Sequence, residues 1–308
     1  MNPLPPLIDR HVHLEGGLDP AWVRAEAALR GVPLPASLEA LWRGEAQPFE
    51  AFIEAFLFGA QLLASENAVA AAVAAIATRT ARAGGTGFDL WCSPSALVSH
   101  WKLLSLDAFW RGLERGLADA RAQGLSACVV VDAVNHFGPD HGHAVLDLIE
   151  GDLPPYVVGF STGGLERVPF RQWAPVFDRA RKRGLRIAAH AGENGDADQV
   201  REAILEGGVA RIVHGLRSDG ATLELLAHRR IPVDVCPRSN ALLAADVRPH
   251  PLPRMLAAGV RCALGTDDPG VIPCDLASER EAARALGASE ADLDRMRRFG
   301  AEDAWCLG

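Results

Sequence analysis

The segment LIDRHVHL at residues 7–14 decides the predicted fold, because it is a short apolar strand that ends in two histidines. Side chains alternate along a strand, so His11 and His13 are expected on the same face. Two imidazoles placed side by side are what a divalent metal needs. Three further polar fragments end similar apolar runs, namely HAGE at residues 190–193, His214 and Asp267-Asp268.

Eight strand candidates occur along the chain, and most are continuous apolar runs of the kind found in parallel sheets that are buried on both faces. They are Leu7–Leu14, Gly87–Cys92, Ala127–Val134, Tyr156–Ser161, Leu185–His190, Ala210–His214, Pro232–Cys236 and Arg261–Thr266. Helical patterns between them end at glycine, a common helix terminator. They include Asp107–Gln123, Phe170–Arg183 and Ala197–Glu206.

This alternation predicts one α/β domain over residues 1–308, a (β/α)8 TIM barrel. The alternative is an open doubly wound sheet. Against the open sheet stands the lack of a G-x-G-x-x-G turn after the first strand. A barrel also brings the C-terminal ends of strands one, five, six and eight around a single point, where barrel enzymes build their sites.

The first connection is unusually long, from about residue 15 to about residue 85, and it predicts a helical lid inserted after strand one. Phe49, Phe52, Ile53 and Phe56 share one face of a helix by their spacing. This apolar face either packs on the top of the barrel or forms a lid that lines a pocket. The sequence leaves both interpretations open.

A candidate metal site follows from the strand ends. His11, His13, His190 and Asp267 supply an N/N/N/O ligand set without cysteine, and this set is typical of a catalytic rather than a structural zinc. We therefore expect one Zn²⁺ per chain. A second pair, His141-x-His143, follows a Phe-Gly-Pro turn, where residues two apart diverge, so it is interpreted as not binding metal.

Composition excludes several classes of partner. The formal net charge is −8 and no basic cluster exceeds an ordinary helix face, so neither nucleic acid nor a membrane surface is expected as a partner. Residues 1–9 lack a signal-peptide pattern, and no apolar run reaches about 18 residues. Six cysteines without CxxC spacing indicate reduced thiols and a cytoplasmic protein. The oligomeric state is not specified by the sequence.

Three further polar residues near these ligands are candidates for catalysis. Glu193, shielded from water beside a metal, could hold and donate a proton at neutral pH, although a carboxylate at a helix start is the ordinary alternative. His214 ends strand six and is expected to project toward the same centre, where it could orient or deprotonate water. Asp268 could contact water or substrate while Asp267 binds the metal, although adjacent carboxylates at a strand end are often capping groups.

Together the motifs resemble the adenosine/adenine deaminase family of the amidohydrolase superfamily, and they cover nearly the whole chain. They are HVHLEG from residue 11, HAGE from residue 190, RIVHG from residue 211, CPRSN from residue 236, HPL from residue 250 and TDDP from residue 266.

The resemblance implies a zinc barrel that replaces a purine 6-amino group with oxygen, a hydrolase acting on a cyclic amidine. It implies zinc ligation by His11, His13, His190 and Asp267. It implies that Glu193 protonates ring N1, that His214 acts as a general base or orients the attacking water, and that Asp268 meets the N7 side. Gly164 would contact N3, while His13, Glu15, Phe52, Ile53 and Phe56 would line the substrate pocket.

Four departures from the family pattern bear on the substrate, a small purine base or nucleoside. Glu15 stands where adenosine deaminases usually have Asp, and Glu is more typical of adenine deaminases. Residues 161–163 replace an acidic-containing segment, Trp91 replaces Arg, and Arg238 replaces an apolar residue. The prediction places adenosine first, converted to inosine and ammonia. Adenine, a modified nucleoside such as aminofutalosine, and a non-catalytic zinc-binding barrel remain alternatives.

Overall fold

Eight parallel strands form the centre of the molecule in a computed structural model that describes residues 4–151 and 153–308. The strands are β1 (Ile8–His13), β2 (Gly87–Cys92), β3 (Ser126–Val134), β4 (Val157–Gly163), β5 (Arg186–Ala191), β6 (Arg211–His214), β7 (Val233–Val235) and β8 (Cys262–Leu264). Their spatial order is their chain order. The predicted (β/α)8 TIM barrel is therefore confirmed. The expectation of no signal peptide partly concerns residues 1–3, which lie outside the described residues.

The barrel closes where its last strand returns to its first. Val12 forms a parallel bridge with Asp267. The His13 N–H donates to the Asp267 carbonyl at 2.8 Å, and the Asp267 N–H donates to the His11 carbonyl at 2.8 Å. Closure of the sheet therefore fixes the backbones of three predicted metal ligands relative to one another.

Thirteen α-helices surround the barrel among the described residues. They are α1 (Pro20–Arg30), α2 (Ala36–Trp42), α3 (Phe49–Gln61), α4 (Glu66–Arg82), α5 (Leu106–Ala122), α6 (Pro139–Leu148), α7 (Phe170–Lys182), α8 (Ala197–Leu205), α9 (Gly220–Arg229), α10 (Pro237–Leu243), α11 (Leu252–Ala257), α12 (Leu276–Ala285) and α13 (Glu290–Glu302). A π-helical turn spans Ser95–His100 and a 3₁₀ turn spans Asn135–Phe137. The three helices predicted from glycine-terminated patterns agree with α5, α7 and α8 to within one residue at each end. Among the described residues, no helix combines the length and apolar composition that crossing a membrane requires.

Four helices follow β1, but only the first three are additions to the barrel. Helix α4 packs against β2 and α5, as a barrel helix does. Gly112 and Gly116 on α5 allow this close approach, because a Cβ at either position would lie within 2.7 Å of Val69 or Val73 on α4. The inserted segment therefore comprises α1 to α3, a shorter stretch than the predicted residues 15–85.

A bulge in β1 lets consecutive residues serve opposite ends of the barrel. Between Asp9 and Val12, β1 advances three residues while β2 advances two, from Phe88 to Leu90. Strict alternation would direct Arg10 and His11 to opposite faces, but the extra residue of a bulge re-aims a side chain. Both side chains consequently lie inside the barrel and are fully buried.

Ion pairs and the C-terminal segment fill the end of the barrel opposite the predicted site. The Arg211 guanidinium lies 2.8 Å from the Asp89 carboxylate, and Arg10 lies 3.2 Å from Asp234. The backbone N–H of Trp305 donates to Asp89 at 3.1 Å, and the Trp305 indole ring lies with its centroid 4.0 Å from the Arg211 guanidinium carbon. These buried charges are paired with one another, as buried charges must be. Together with Trp305 they fill this end of the barrel, so the site is expected at the opposite end, where the strands have their C-termini.

Candidate active site

The four predicted metal ligands converge at the C-terminal ends of β1, β5 and β8. The Nε2 atom of His190 lies 3.2 Å from the Nε2 atoms of both His11 and His13. A carboxylate oxygen of Asp267 lies 3.3 Å from Nε2 of His11 and 3.6 Å from Nε2 of His13. The two histidines of β1 thus lie between a donor on β5 and a donor that follows β8.

The spacing of these donors fits a small divalent metal. Ligands bound at 2.0–2.1 Å can stand about 3.4 Å apart, and His11 and His13 each lie 3.2–3.6 Å from the donor atoms of His190 and Asp267. Burial lowers the pKa of His11 and of His13 to about 3, so both rings are neutral at physiological pH and have a lone pair to offer. His190 is also held neutral, because burial lowers its pKa well below the usual value.

Hydrogen bonds orient two of the imidazoles. Nδ1 of His190 lies 2.8 Å from the Thr162 carbonyl oxygen, which can only accept, so Nδ1 carries the proton and Nε2 faces the ligand cluster unprotonated. The side-chain amide of Asn240 lies 3.1 Å from Nδ1 of His214 and holds that ring from its other side. Nε2 of His214 then lies 3.6 Å from Glu193 Oε1.

Backbone strain marks two of the strand ends at the site. His214 has φ +67° and Asp267 has φ +63°, in the left-handed region that residues other than glycine seldom occupy. Such a conformation costs on the order of 1–3 kcal/mol and is found mainly where function requires it. With this backbone conformation, both side chains point toward the ligand cluster, and the chain no longer continues as a regular strand.

Glu193 reaches the site through a tight turn after β5. Gly192 has φ +75°, and a Cβ there would lie 2.7 Å from Val200, so the turn requires glycine. Buried Glu166 holds the turn, because its carboxylate accepts the N–H groups of Gly192, Glu193 and Asn194 at 2.6–3.1 Å. Burial and the neighbouring Asp267 carboxylate raise the pKa of Glu193 well above its usual value, which favours its protonated form.

We expect Glu166→Gln to lower turnover about 10–100-fold, by analogy with the range typical for residues that orient the ligands of a metal site, because Glu166 orients the turn that carries Glu193. Three backbone N–H groups now donate to the two carboxylate oxygens of Glu166. In the Gln variant an amide NH2 group, itself a donor, would replace one of these oxygens, and the turn that positions Glu193 would be displaced. Measurement of kcat at matched metal content tests this. Unchanged kcat in a folded variant would show that the turn needs no such support.

Two further carboxyl groups line the site and have oxygens with no hydrogen-bond partner among the described residues, Oδ1 of Asp268 and Oε2 of Glu15. The other Glu15 oxygen accepts the Ser93 N–H at 2.6 Å. Burial raises the pKa of Glu15 to about 7, against the lowering effect of that bond. Burial and the Asp267 charge raise the pKa of Asp268 well above its usual value. A neutral Asp268 can donate a proton in a hydrogen bond.

The predicted lid residues lie on α3. The Phe56 ring centroid is 6.2 Å from that of His13, while Phe52 is buried and Ile53 is half-buried. Gly164 lies just beyond β4, and its carbonyl accepts the Asn194 side-chain amide at 3.3 Å. Asn194 therefore ties the Gly164 segment to the turn that carries Glu193.

The structure shows the surroundings of three residues that depart from the family pattern. Trp91 is fully buried beneath the metal ligands, with its ring centroid 4.4 Å from that of His11. Arg238 extends away to the Pro273 carbonyl at 3.3 Å. Ser161 lies opposite Asp132 in the pairing of β3 and β4.

Four residues that support the site were not among the sequence candidates, namely Asp132, Glu166, Asn194 and Asn240. Asp132 had a usable signal, since it ends the apolar run Val129–Val131 much as the other candidates end theirs. The His141-x-His143 pair lies on α6. Neither of the two metal-type ligand groups found in the described part of the chain includes it, and its interpretation as not binding metal stays a prediction.

An eight-stranded parallel barrel with three neutral imidazoles and a carboxylate converging on its C-terminal end defines the class, a metal-dependent barrel hydrolase. Comparison with known families specifies it further, because a family model described as adenosine deaminase matches residues 6–307. The chain belongs to the adenosine deaminase family, whose members depend on a divalent metal.

Similarity to individual proteins extends over nearly the full length of each. The chain is 32% identical to adenine deaminase from Rhizobium meliloti over 96% of this chain and 92% of that protein. It is 33% identical to aminodeoxyfutalosine deaminase from Acidothermus cellulolyticus over 92% and 83%, respectively. The crystal structure of adenine deaminase from Arthrobacter aurescens superposes with a TM-score of 0.87 at 27% identity, covering 98% and 94% of the two chains. The protein is thus a hydrolase acting on the C–N bond of an amidine.

Proposed function

We propose that this protein is a zinc-dependent adenine deaminase, which converts adenine and water to hypoxanthine and ammonia. The observation that carries the choice of adenine over adenosine is Glu15, two residues after His13, with one buried oxygen that lacks a partner. Free adenine has an imidazole N–H group that such an oxygen can accept, whereas adenosine has a sugar in its place. The similarity to proteins named adenine deaminase supports the same choice.

The metal ligands, Glu193 and His214 have distinct roles in this reaction. When bound by His11, His13, His190 and Asp267, zinc supplies a Lewis acid that makes water a nucleophile at neutral pH. Glu193 holds the proton that ring N1 requires as the C6 centre becomes tetrahedral. His214, held at Nδ1 by the Asn240 side-chain amide, is placed to orient the attacking water.

The remaining contacts would position the purine. Asp268 would donate to N7 in its protonated form, which its raised pKa favours, and the Gly164 N–H would donate to N3. Phe52, Ile53 and Phe56 cover the base from the lid side. These assignments follow the family resemblance, and the burial and positions of the residues support them.

The first experiment is a substrate comparison with the purified zinc-loaded protein. Adenine, adenosine and aminodeoxyfutalosine are tested in parallel, and ammonia release is measured for each. We expect the highest kcat/KM with adenine. A higher value with either nucleoside would replace adenine as the proposed substrate, and ammonia release from none of the three would contradict the proposed function.

We expect Glu15→Ala to reduce kcat/KM for adenine by about 10²-fold or more, while activity on adenosine rises relative to adenine. A site that hydrogen-bonds a polar group of its substrate discriminates by up to about 10⁴–10⁵-fold when that contact is broken. Removal of the side chain also opens space that a sugar can occupy. Measurement of kcat/KM for both compounds tests this, with Glu15→Gln as the isosteric control. An equal effect on both compounds would show that Glu15 does not contact this edge of the purine.

A further inference from the structure

Asp132 is a buried carboxylate to which the proposed reaction assigns no role. It lies near the end of β3, is 2% exposed, and neither of its oxygens has a hydrogen-bond partner among the described residues. Its side chain points into the barrel, because Val130, two residues earlier, packs with Trp91 in the interior cluster. Buried carboxylates are normally hydrogen-bonded, so this one requires a donor.

His13 is the metal ligand that faces this carboxylate. Nε2 of His13 points to the ligand cluster, 3.2 Å from Nε2 of His190, while Nδ1 lies 3.7 Å from Oδ2 of Asp132. An imidazole that binds metal through Nε2 carries its proton on Nδ1, and that proton needs an acceptor. For His190 the acceptor is the Thr162 carbonyl at 2.8 Å. The corresponding position beside His13 is taken by Asp132.

We propose that Asp132 is a positioning residue of the metal centre, which accepts the Nδ1–H group of His13 and thereby orients that ring toward the metal. The inference rests on the metal site of the proposed function. The present 3.7 Å separation exceeds hydrogen-bond distance by about half an ångström, and a small rotation of either side chain closes it. Asp132 thus raises metal affinity through His13 without touching the metal itself.

The main test measures zinc affinity rather than activity. Asp132→Ala, Asp132→Asn and the wild type are stripped of metal and titrated with zinc against a chromophoric chelator. Carboxylate partners of metal-binding histidines are typically worth 10–100-fold in affinity, so Asp132→Ala is expected to bind zinc about 10–100-fold more weakly. Asp132→Asn is expected to lose less, because its amide oxygen can still accept the Nδ1 proton.

Val131→Ala is the matched control for lost packing on the same strand. Val131 is fully buried, and it packs in the main core rather than in the interior cluster that contains Val130. This variant should have a lower Tm without metal and an unchanged zinc affinity. If Asp132→Ala does not fold, Asp132→Asn carries the test with an expected loss of at least a few-fold.

Zinc affinity equal to that of the wild type in a folded Asp132 variant would overturn the proposal. A changed KM at saturating zinc with unchanged zinc affinity would also overturn it, in favour of a substrate contact. The proposed function fails separately. If the wild type binds zinc but deaminates no 6-aminopurine, that function is wrong, whereas an effect of Asp132 on zinc affinity would still support its positioning role.

Discussion

Glu193→Gln is expected to reduce turnover by about 10²–10⁴-fold, the usual contribution of a general acid, while the metal content stays that of the wild type. Burial and the Asp267 carboxylate raise the pKa of Glu193 well above its usual value, which favours the protonated carboxyl group. Gln has the same shape but holds no acidic proton for ring N1. The contribution of Glu193 should be present at neutral pH and decline as the pH rises through that raised pKa.

The measurement is kcat on the preferred 6-aminopurine, with zinc determined on the same samples. Glu224→Gln, an exposed glutamate on α9, controls for the substitution itself and should behave as the wild type. A Glu193→Gln variant within a few-fold of wild-type turnover would contradict the role of Glu193 as an acid. It would favour the alternative interpretation, in which the Glu193 carboxylate only interacts with the dipole at the start of α8. Loss of zinc from the variant would point instead to a role in holding the ligand cluster.

The barrel could be predicted because its strands are buried on both faces. Largely apolar runs such as 127–134 are typical of strands in a parallel sheet that is covered on both faces. Polar residues at the C-terminal ends of such strands lie at the end of the barrel where the active site is built. Boundaries at the mouth were less predictable. The predicted run 261–266 forms a regular strand only over Cys262–Leu264, and the chain beyond it returns to β1 through Asp267, which has positive φ. Such a backbone conformation at the site is not a local preference that the sequence reveals.

Support residues were harder to predict because they act across the chain. Glu166 binds N–H groups that lie 26 to 28 residues further along, and no spacing within either loop indicates the pairing. The burial of Arg10 inside the barrel, where it pairs with Asp234, depends on the bulge in β1. The alternation of residues in the sequence does not reveal such a bulge. The end of the inserted segment could not be predicted, because α4 is recognised as a barrel helix only by its packing on α5. The glycines of α5 that allow this packing meet α4 only in the folded protein.

Asp132 shows a different kind of omission. It ends an apolar run, as Asp267 does, but a single carboxylate at a strand end is more often a capping group than part of a site. Its relation to His13 became visible only when β1 and β3, separated by β2, were placed around one barrel. Residues that bind metal directly recur in short motifs, whereas the residues that orient them are constrained mainly in three dimensions.

Removal of single metal ligands should have the largest effect on activity. We expect His13→Ala and Asp267→Ala each to lose stoichiometric zinc and at least about 10³-fold in kcat/KM, because a metal at such a site supplies several kcal/mol of transition-state stabilisation and each 1.36 kcal/mol is a factor of ten. Each substitution removes one of four donors, among which His11 and His13 each lie 3.2–3.6 Å from His190 and Asp267. Three remaining donors cannot complete the set.

His141→Ala is the matched control for these variants, since it removes an imidazole on α6 that belongs to neither ligand group found in the described residues. Metal analysis of protein purified without added zinc should give one zinc per chain for this variant and for the wild type, and little for His13→Ala and Asp267→Ala. Full zinc occupancy in both ligand variants would show that the convergent imidazoles are not the metal site. Zinc lost from His141→Ala as well would locate bound metal at α6. Retention by Asp267→Ala alone would mean that three imidazoles suffice for binding, and Asp267 would then be needed for the reaction rather than for affinity.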